Sequence, residues 1–245
     1  MRRSIITLAL AATLASAGFV ATVEAAAPAY LAAISSPLRP AADTARDADR
    51  QPGALMAFAK IKPGTVVVEL APGGGYYTRL LSLAVGPKGR VYTFSNRASA
   101  AIDEWAKTNP NVTPQVSAPG MPLAPVPVDV VWTTLNYHDF KNNKQGDRDL
   151  AAVINDAAFK VLKPGGIYLI NDHQTAKGMG TTQTSTLHRI EDAAVIKEVE
   201  AAGFKLEARS SVLAHPGDDH TLKVVETGIR GKTDQFVLRF RKPKR

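Results

Sequence analysis

Two short polar runs hold the side chains best suited to chemistry. Asn136-Tyr137-His138-Asp139 sets an amide, a phenol, an imidazole and a carboxylate in succession. His138 suits proton transfer, because an imidazole with an ordinary pKa of about 6.5 changes charge near neutrality. Asp139 could instead bind a cationic group, and Asn136 could orient a ligand through its amide. The plainer alternative is that Asn136 and Asp139 cap a helix or turn while His138 is a satisfied polar residue. Asp172-His173 is a second candidate, with a loop cap as its alternative. A third feature has no reactive side chain: Ala71-Pro72-Gly73-Gly74-Gly75, followed by Tyr76-Tyr77-Thr78. Missing side chains let a nucleotide-like ligand approach backbone N–H groups at a helix start, although a structural turn would use the same residues.

The elements around these runs decide where they lie. Thr65 to Leu70 is a β-branched apolar run that reads as a buried parallel strand, and a helix from about Tyr77 to Val85 follows the glycine turn. Arg90 to Phe94 reads as a second strand, Ala98 to Lys107 as a helix, and Val112 to Val116 as a third strand. Val126 to Thr133 gives a fourth strand and Asp147 to Leu162 a helix that stops at Lys163-Pro164-Gly165-Gly166. Ile167 to Ile170 is a fifth strand, Ser185 to Ala202 a further helix, and Phe204 to Leu213 and Phe236 to Arg241 two closing strands. Alternation of strands with helices calls for a doubly wound, Rossmann-like α/β sheet, mostly parallel. In such a sheet ligands bind beyond the carboxyl ends of the strands, where both polar runs and the glycine turn fall.

Three signals in order carry a family likeness. Val67-Val68-Glu69-Leu70-Ala71-Pro72-Gly73-Gly74-Gly75, the Leu162-Lys163-Pro164-Gly165-Gly166 turn, and Ala202-Gly203-Phe204 before two terminal strands resemble the class I S-adenosylmethionine-dependent methyltransferases. Pro72 to Thr78 with Asn136 to Asp139 is similar to an exported bacterial group within that class. The resemblance, over roughly residues 51 to 243, implies seven strands with an antiparallel last strand and cofactor over the tips of the first two. It implies cofactor contacts from Glu69, Ala71, Pro72, Gly73, Gly75, Tyr76, Tyr77, Ser95 and Asn96. His138, Asp139 and Asn136 become the catalytic set, with Tyr137, Asp172 and His173 on the substrate side. Tyr76, Tyr77 and Tyr137 could wall the sulfonium, whose charge is drawn to ring faces. The chain departs from the pattern in three places, one being the carboxylate near the adenine amine that is missing from Val116-Ser117-Ala118-Pro119 after the third strand. Ala71 replaces the first glycine, which keeps the turn if its φ is negative. The second strand ends in Phe94-Ser95-Asn96 where the family has a carboxylate for the ribose hydroxyls, and a neutral acceptor makes the weaker bond.

Other polar groups carry less. His188-Arg189 reads as helical and could meet an anion, with a solvated pair to Glu191 as the alternative. His215 to His220 has metal-binding atoms but no ligand spacing that can be defended, so no metal is assigned. The 245 residues allow one full domain, and 45% hydrophobic with 21% charged residues excludes disorder and multispan membrane classes. Zero cysteines remove disulfides and thiolate chemistry. The net charge of +8 favours anionic partners only weakly, and no specific nucleic-acid signal accompanies it. Arg2, Arg3 and the apolar run Ile5 to Leu14 read as a signal peptide over residues 1–25, cleaved after Ala25 or Ala26. Residues 26–42 read as a linker or loose arm and 43–245 as the domain. No membrane anchor would remain after cleavage, and the product would be periplasmic or secreted. The function expected is methyl transfer to a small molecule. The alternative is an exported, non-catalytic ligand-binding domain on the same scaffold. A nicotinamide oxidoreductase is disfavoured, because no Asp or Glu ends the second strand and the loop lacks the G-x-G-x-x-G register.

Overall fold

The β-branched run Val66–Leu70 forms β1, with both faces covered, as near-continuous apolar strands of parallel sheets are. The structure is a computed structural model that describes residues 28–118, 122–226 and 228–244. The expected signal segment and its cleavage point lie outside the described residues. Four helices precede β1: α1 (Pro28–Ile34), α2 (Ala41–Thr44), α3 (Asp47–Arg50) and α4 (Pro52–Phe58). After it come α5 (Tyr76–Val85), β2 (Arg90–Ser95), α6 (Ala100–Thr108), β3 (Val112–Val116), β4 (Val128–Thr134) and α7 (Tyr137–Lys141). A two-residue hairpin, β5 (Lys144–Gln145) with β6 (Arg148–Asp149), leads into α8 (Leu150–Val161). Next are β7 (Leu162–His173), α9 (Asp192–Ala201), β8 (Lys205–Ser210) and β9 (Gln235–Arg241).

Seven strands lie in the order β3-β2-β1-β4-β7-β9-β8. The pairs along β3, β2, β1, β4 and β7 are parallel, and β9 runs antiparallel between β7 and β8. This is the expected seven-stranded sheet with an antiparallel last strand. One apolar cluster lies beneath α8 and α9, around Val131, Tyr168, Phe204 and Phe240. The other packs α1, α4 and α5 on the opposite face, around Leu55, Leu80, Trp132 and Leu169. Chain reversal between β1 and β4 opens a crevice at the carboxyl edge, and there the sequence deposits its polar runs.

Several expectations change. The stretch read as a loose arm is helical from Pro28, and α1 buries Tyr30 and Ala33, with the Tyr30 hydroxyl donating to the Ile61 carbonyl. Alanine-rich sequence with one aromatic anchor packs well here despite lacking a sustained period. The helix expected from Ser185 begins only at Asp192, because residues 185–191 turn back to pair with the end of β7. The Lys163-Pro164-Gly165-Gly166 turn lies inside the β7 span as an excursion between the pairs Leu162 with Val128 and Ile167 with Val130. Gly166 is needed there, since an added Cβ would come within 2.9 Å of a carbonyl oxygen.

Candidate functional site

At the first strand tip, the turn 71–75 splits into an open half and a packed half. Gly73 and Gly74 are exposed, and a Cβ on either would meet nothing within 4 Å. Gly75 is buried, has φ 82°, and would push a Cβ to 2.8 Å from Ile102. Gly75, expected as a cofactor contact, is therefore held by packing and helix entry. Ala71 has φ 49°, so the negative φ on which its substitution for glycine was to depend is absent and the turn carries left-handed strain. Glu69 is buried, accepts a hydrogen bond from Thr78 at 2.6 Å, and has its carboxyl pushed by burial up to about 7.

The tyrosines do not form a free aromatic wall. Tyr76 donates to Asp47 at 2.6 Å, and the guanidinium groups of Arg46 and Arg50 stand 4.9 and 4.7 Å from its ring centre. Tyr77 packs on Trp132 and donates to the Arg50 carbonyl. Tyr137 turns into the core, fully buried, donating to Glu198 at 3.0 Å and accepting from Asn155 at 2.8 Å. Its expected place beside substrate is corrected: the first residue of α7 points inward because the next one points into the crevice. At the second strand tip Ser95 accepts from the Arg97 N–H and Asn96 is exposed. The hollow lined by Pro72, Ser95, Ser99, Ile102 and Gln115 measures only about 10 Å³, room for one water centre.

The other side of the crevice is denser in polar side chains. Leu135, at φ 58°, turns the chain sharply out of β4. Asn136 then donates to the Thr134 carbonyl at 2.6 Å and to the Ala71 carbonyl at 3.2 Å. It makes no side-chain cap for α7, so its amide fastens the two loops together and both N–H groups are used. His138, 3% exposed, meets Asp172 twice, through Nδ1 at 2.7 Å and through its backbone N–H at 2.8 Å. Asp172 is wholly buried and also accepts the His173 N–H. The two polar runs weighed separately in the sequence thus form one unit. With Nδ1 on Asp172, Nε2 faces Asp139 at 3.3 Å, and His188 Nδ1 stands 3.3 Å from the same Asp139 oxygen.

Charge follows this geometry. Burial alone would push His138 down, but the Asp172 charge and hydrogen bonds to Asp139 and Asp172 outweigh it and lift the imidazole to about 10. The pairing with Asp172 thus favours the protonated ring and holds His138 toward the donor form. Asp139 lies below the usual carboxylate range through its hydrogen bond with His138. His173 is pushed by burial down to about 4 and shares Nδ1 with the Thr233 hydroxyl, so it is neutral and part of the frame. Asp172 likewise acts through His138, as its positioning partner. Sequence reasoning set His188 on a helix; it lies in a loop at φ 56° beside Arg189. Arg189 makes no solvated pair with Glu191: it is fully buried in a two-pronged bond to Asp218 at 2.7 and 3.1 Å. In the run 215–220, Asp218 is thus spent on Arg189, and His220 reaches Asp234 at 3.1 Å.

No family model matches the chain. Among solved structures, a SAM-dependent methyltransferase from Aquifex aeolicus matches with a TM-score of 0.59 at 18% identity, covering 81% of this chain and 93% of that one. The Burkholderia thailandensis 1,6-didemethyltoxoflavin-N1-methyltransferase, solved with 1,6-didemethyltoxoflavin and S-adenosylhomocysteine, matches at 0.56 and 14% identity, covering 83% and 81%. Aeropyrum pernix fibrillarin, solved with natively bound S-adenosyl-L-methionine, matches at 0.52 and 15% identity, covering 80% and 76%. Strand order, the antiparallel β9 and these matches agree: the chain has the fold of the class I S-adenosylmethionine-dependent methyltransferases.

Proposed function

We propose that the protein is an S-adenosylmethionine-dependent methyltransferase acting on a small-molecule acceptor outside the cytoplasm. One observation carries this reading. The Asn136 amide ties the open glycine turn at Ala71 to the loop bearing His138 and Asp139, so a cofactor surface and an acceptor surface share one edge. The exposed backbone of Gly73 and Gly74 would hold the cofactor, which supplies an electrophilic methyl group when bound. The protein's task is then alignment, since in-line displacement gains most from fixed geometry. Asp172 fixes the His138 ring, the ring orients the acceptor, and the ionised Asp139 holds it by charge, with any acceptor proton leaving to water. Export is supported by Arg2, Arg3, the apolar run after them and the small residues around Ala25; the mass of the mature N-terminus tests it.

The test of catalysis is release of S-adenosylhomocysteine when the protein is incubated with S-adenosylmethionine and a small-molecule extract. Wild type should release it, and a His138→Ala, Asp139→Ala double variant should lose transfer while keeping cofactor binding. Equal loss of both would make the pair structural. A second reading, a non-catalytic ligand-binding domain, is favoured by the hollow of about 10 Å³ and the neutral Ser95 and Asn96 tip. It predicts binding of cofactor or a related ligand without turnover.

A further inference from the structure

On the side of Asp139 away from the core, two long hydrogen bonds from imidazoles converge on one carboxylate oxygen. This Oδ1 lies 3.3 Å from His138 Nε2 and 3.3 Å from His188 Nδ1. Both separations exceed the 2.7–3.2 Å typical of N–H···O bonds, while His138 Nδ1 keeps a full-strength 2.7 Å bond to Asp172 on its other side. One ligand-capable atom from each of His138, Asp139 and His188 lies within 4.8 Å of the other two. Nitrogen and oxygen ligands about 2.0–2.1 Å from a tetrahedral ion stand about 3.3 Å apart. We propose that His138, Asp139 and His188 form a binding site for a divalent transition-metal ion of the zinc class.

Three further features fit a built site. A metal-binding imidazole characteristically gives its second nitrogen to a carboxylate, which fixes ring and tautomer; buried Asp172 does this for His138, and a bound ion would displace the Nε2 proton and take over the ring's role toward an acceptor. The loop bearing His188 is anchored at its next residue by the buried Arg189–Asp218 pair, so its position is rigidly determined. The side chains of Asp139 and His188 are 47% and 31% exposed, which leaves an entry path and room for water or an acceptor oxygen in the remaining coordination positions. Two imidazoles and one carboxylate are borderline donors that suit zinc, cobalt, nickel or ferrous iron better than magnesium or calcium. The site stands without the methyl-transfer reading, because its three ligands come from α7 and the 185–191 loop and none from the glycine turn.

The test is titration of the chelator-treated full protein with Co²⁺, read by visible absorption, and with Zn²⁺ in competition. Neither measurement involves cofactor or turnover. One equivalent should bind, with the intense visible bands of a low-coordinate ion. His188→Ala and Asp139→Asn, both at accessible positions, should each weaken the affinity by about 100-fold without lowering the melting temperature. Asp172→Asn, which keeps all three ligands, should weaken it by about 10–100-fold. Binding that is absent at millimolar metal, or unchanged in both ligand variants, overturns the proposal.

Discussion

The two sides of the crevice are made of different material. The side from β1 to β3 offers main chain: an open turn at Gly73 and Gly74, a neutral strand tip, and aromatic rings already covered by arginines and Trp132. The side from β4 to β7 offers side chains: His138, Asp139, Asp172 and His188 within one hydrogen-bonded group. A backbone cradle needs small residues adjacent in sequence, so it leaves a continuous motif. A side-chain cluster needs positions brought together by the sheet, so its members lie 34 and 50 residues from His138 and Asp172 and His188 show no common pattern in the chain.

The largest effect is expected on the side-chain half. Asp172→Ala leaves buried His138 without its main partner, and breaking a buried charge pair costs about 3–5 kcal/mol, a loss readable by denaturant unfolding. A change below 1 kcal/mol would mean that Asp172 and His138 are not coupled in solution.

The main-chain half should answer to pH through Glu69. Folding moves its carboxyl from 4.5 to about 7, so ionising it in place costs roughly 3 kcal/mol. Below pH 4.5 the carboxyl is protonated in both folded and unfolded chains and the penalty vanishes. Stability from this group falls as pH rises and is fully lost above about pH 7. Glu69→Gln should flatten that slope in urea titrations across this window; an unchanged slope would place the charge elsewhere.

Smaller effects separate the halves of the glycine turn itself. Gly75→Ala forces a side chain into left-handed backbone against Ile102 and should destabilise by about 1–3 kcal/mol. Ala71→Gly relieves strain at φ 49° and should stabilise by roughly 0.5 kcal/mol, the relief being partly offset by the freer unfolded chain. Reversed signs in thermal unfolding would show that the turn relaxes differently.

This contrast also sets what the sequence made legible. The strands along the chain and the glycine turn follow from local patterns, since β-branched runs and Gly-Pro punctuation act where they stand, whereas the antiparallel last strand was legible only through the family resemblance and the strand order is set by contacts distant in sequence. The β5–β6 hairpin escaped because two-residue strands have no period to read. The 185–191 segment looked helical because its polar residues gave no hint that Arg189 would bury itself against Asp218, 29 residues away. His138 and Asp172 were visible as candidates, yet their pairing depends on β4 and β7 being neighbours in the sheet. Tyr137 was misplaced for a related reason, since α7 is too short for a sequence period to say which residue faces the core.

The most direct measurement is calorimetric titration of S-adenosylmethionine and S-adenosylhomocysteine into the wild-type protein and into Gly74→Val, which fills open space without touching the core. Saturable heat is expected for the wild type, with at least a tenfold weaker affinity in the variant at unchanged melting temperature. No heat at millimolar ligand, or equal affinity in both proteins, would contradict the claim that the turn at 71–75 carries the cofactor.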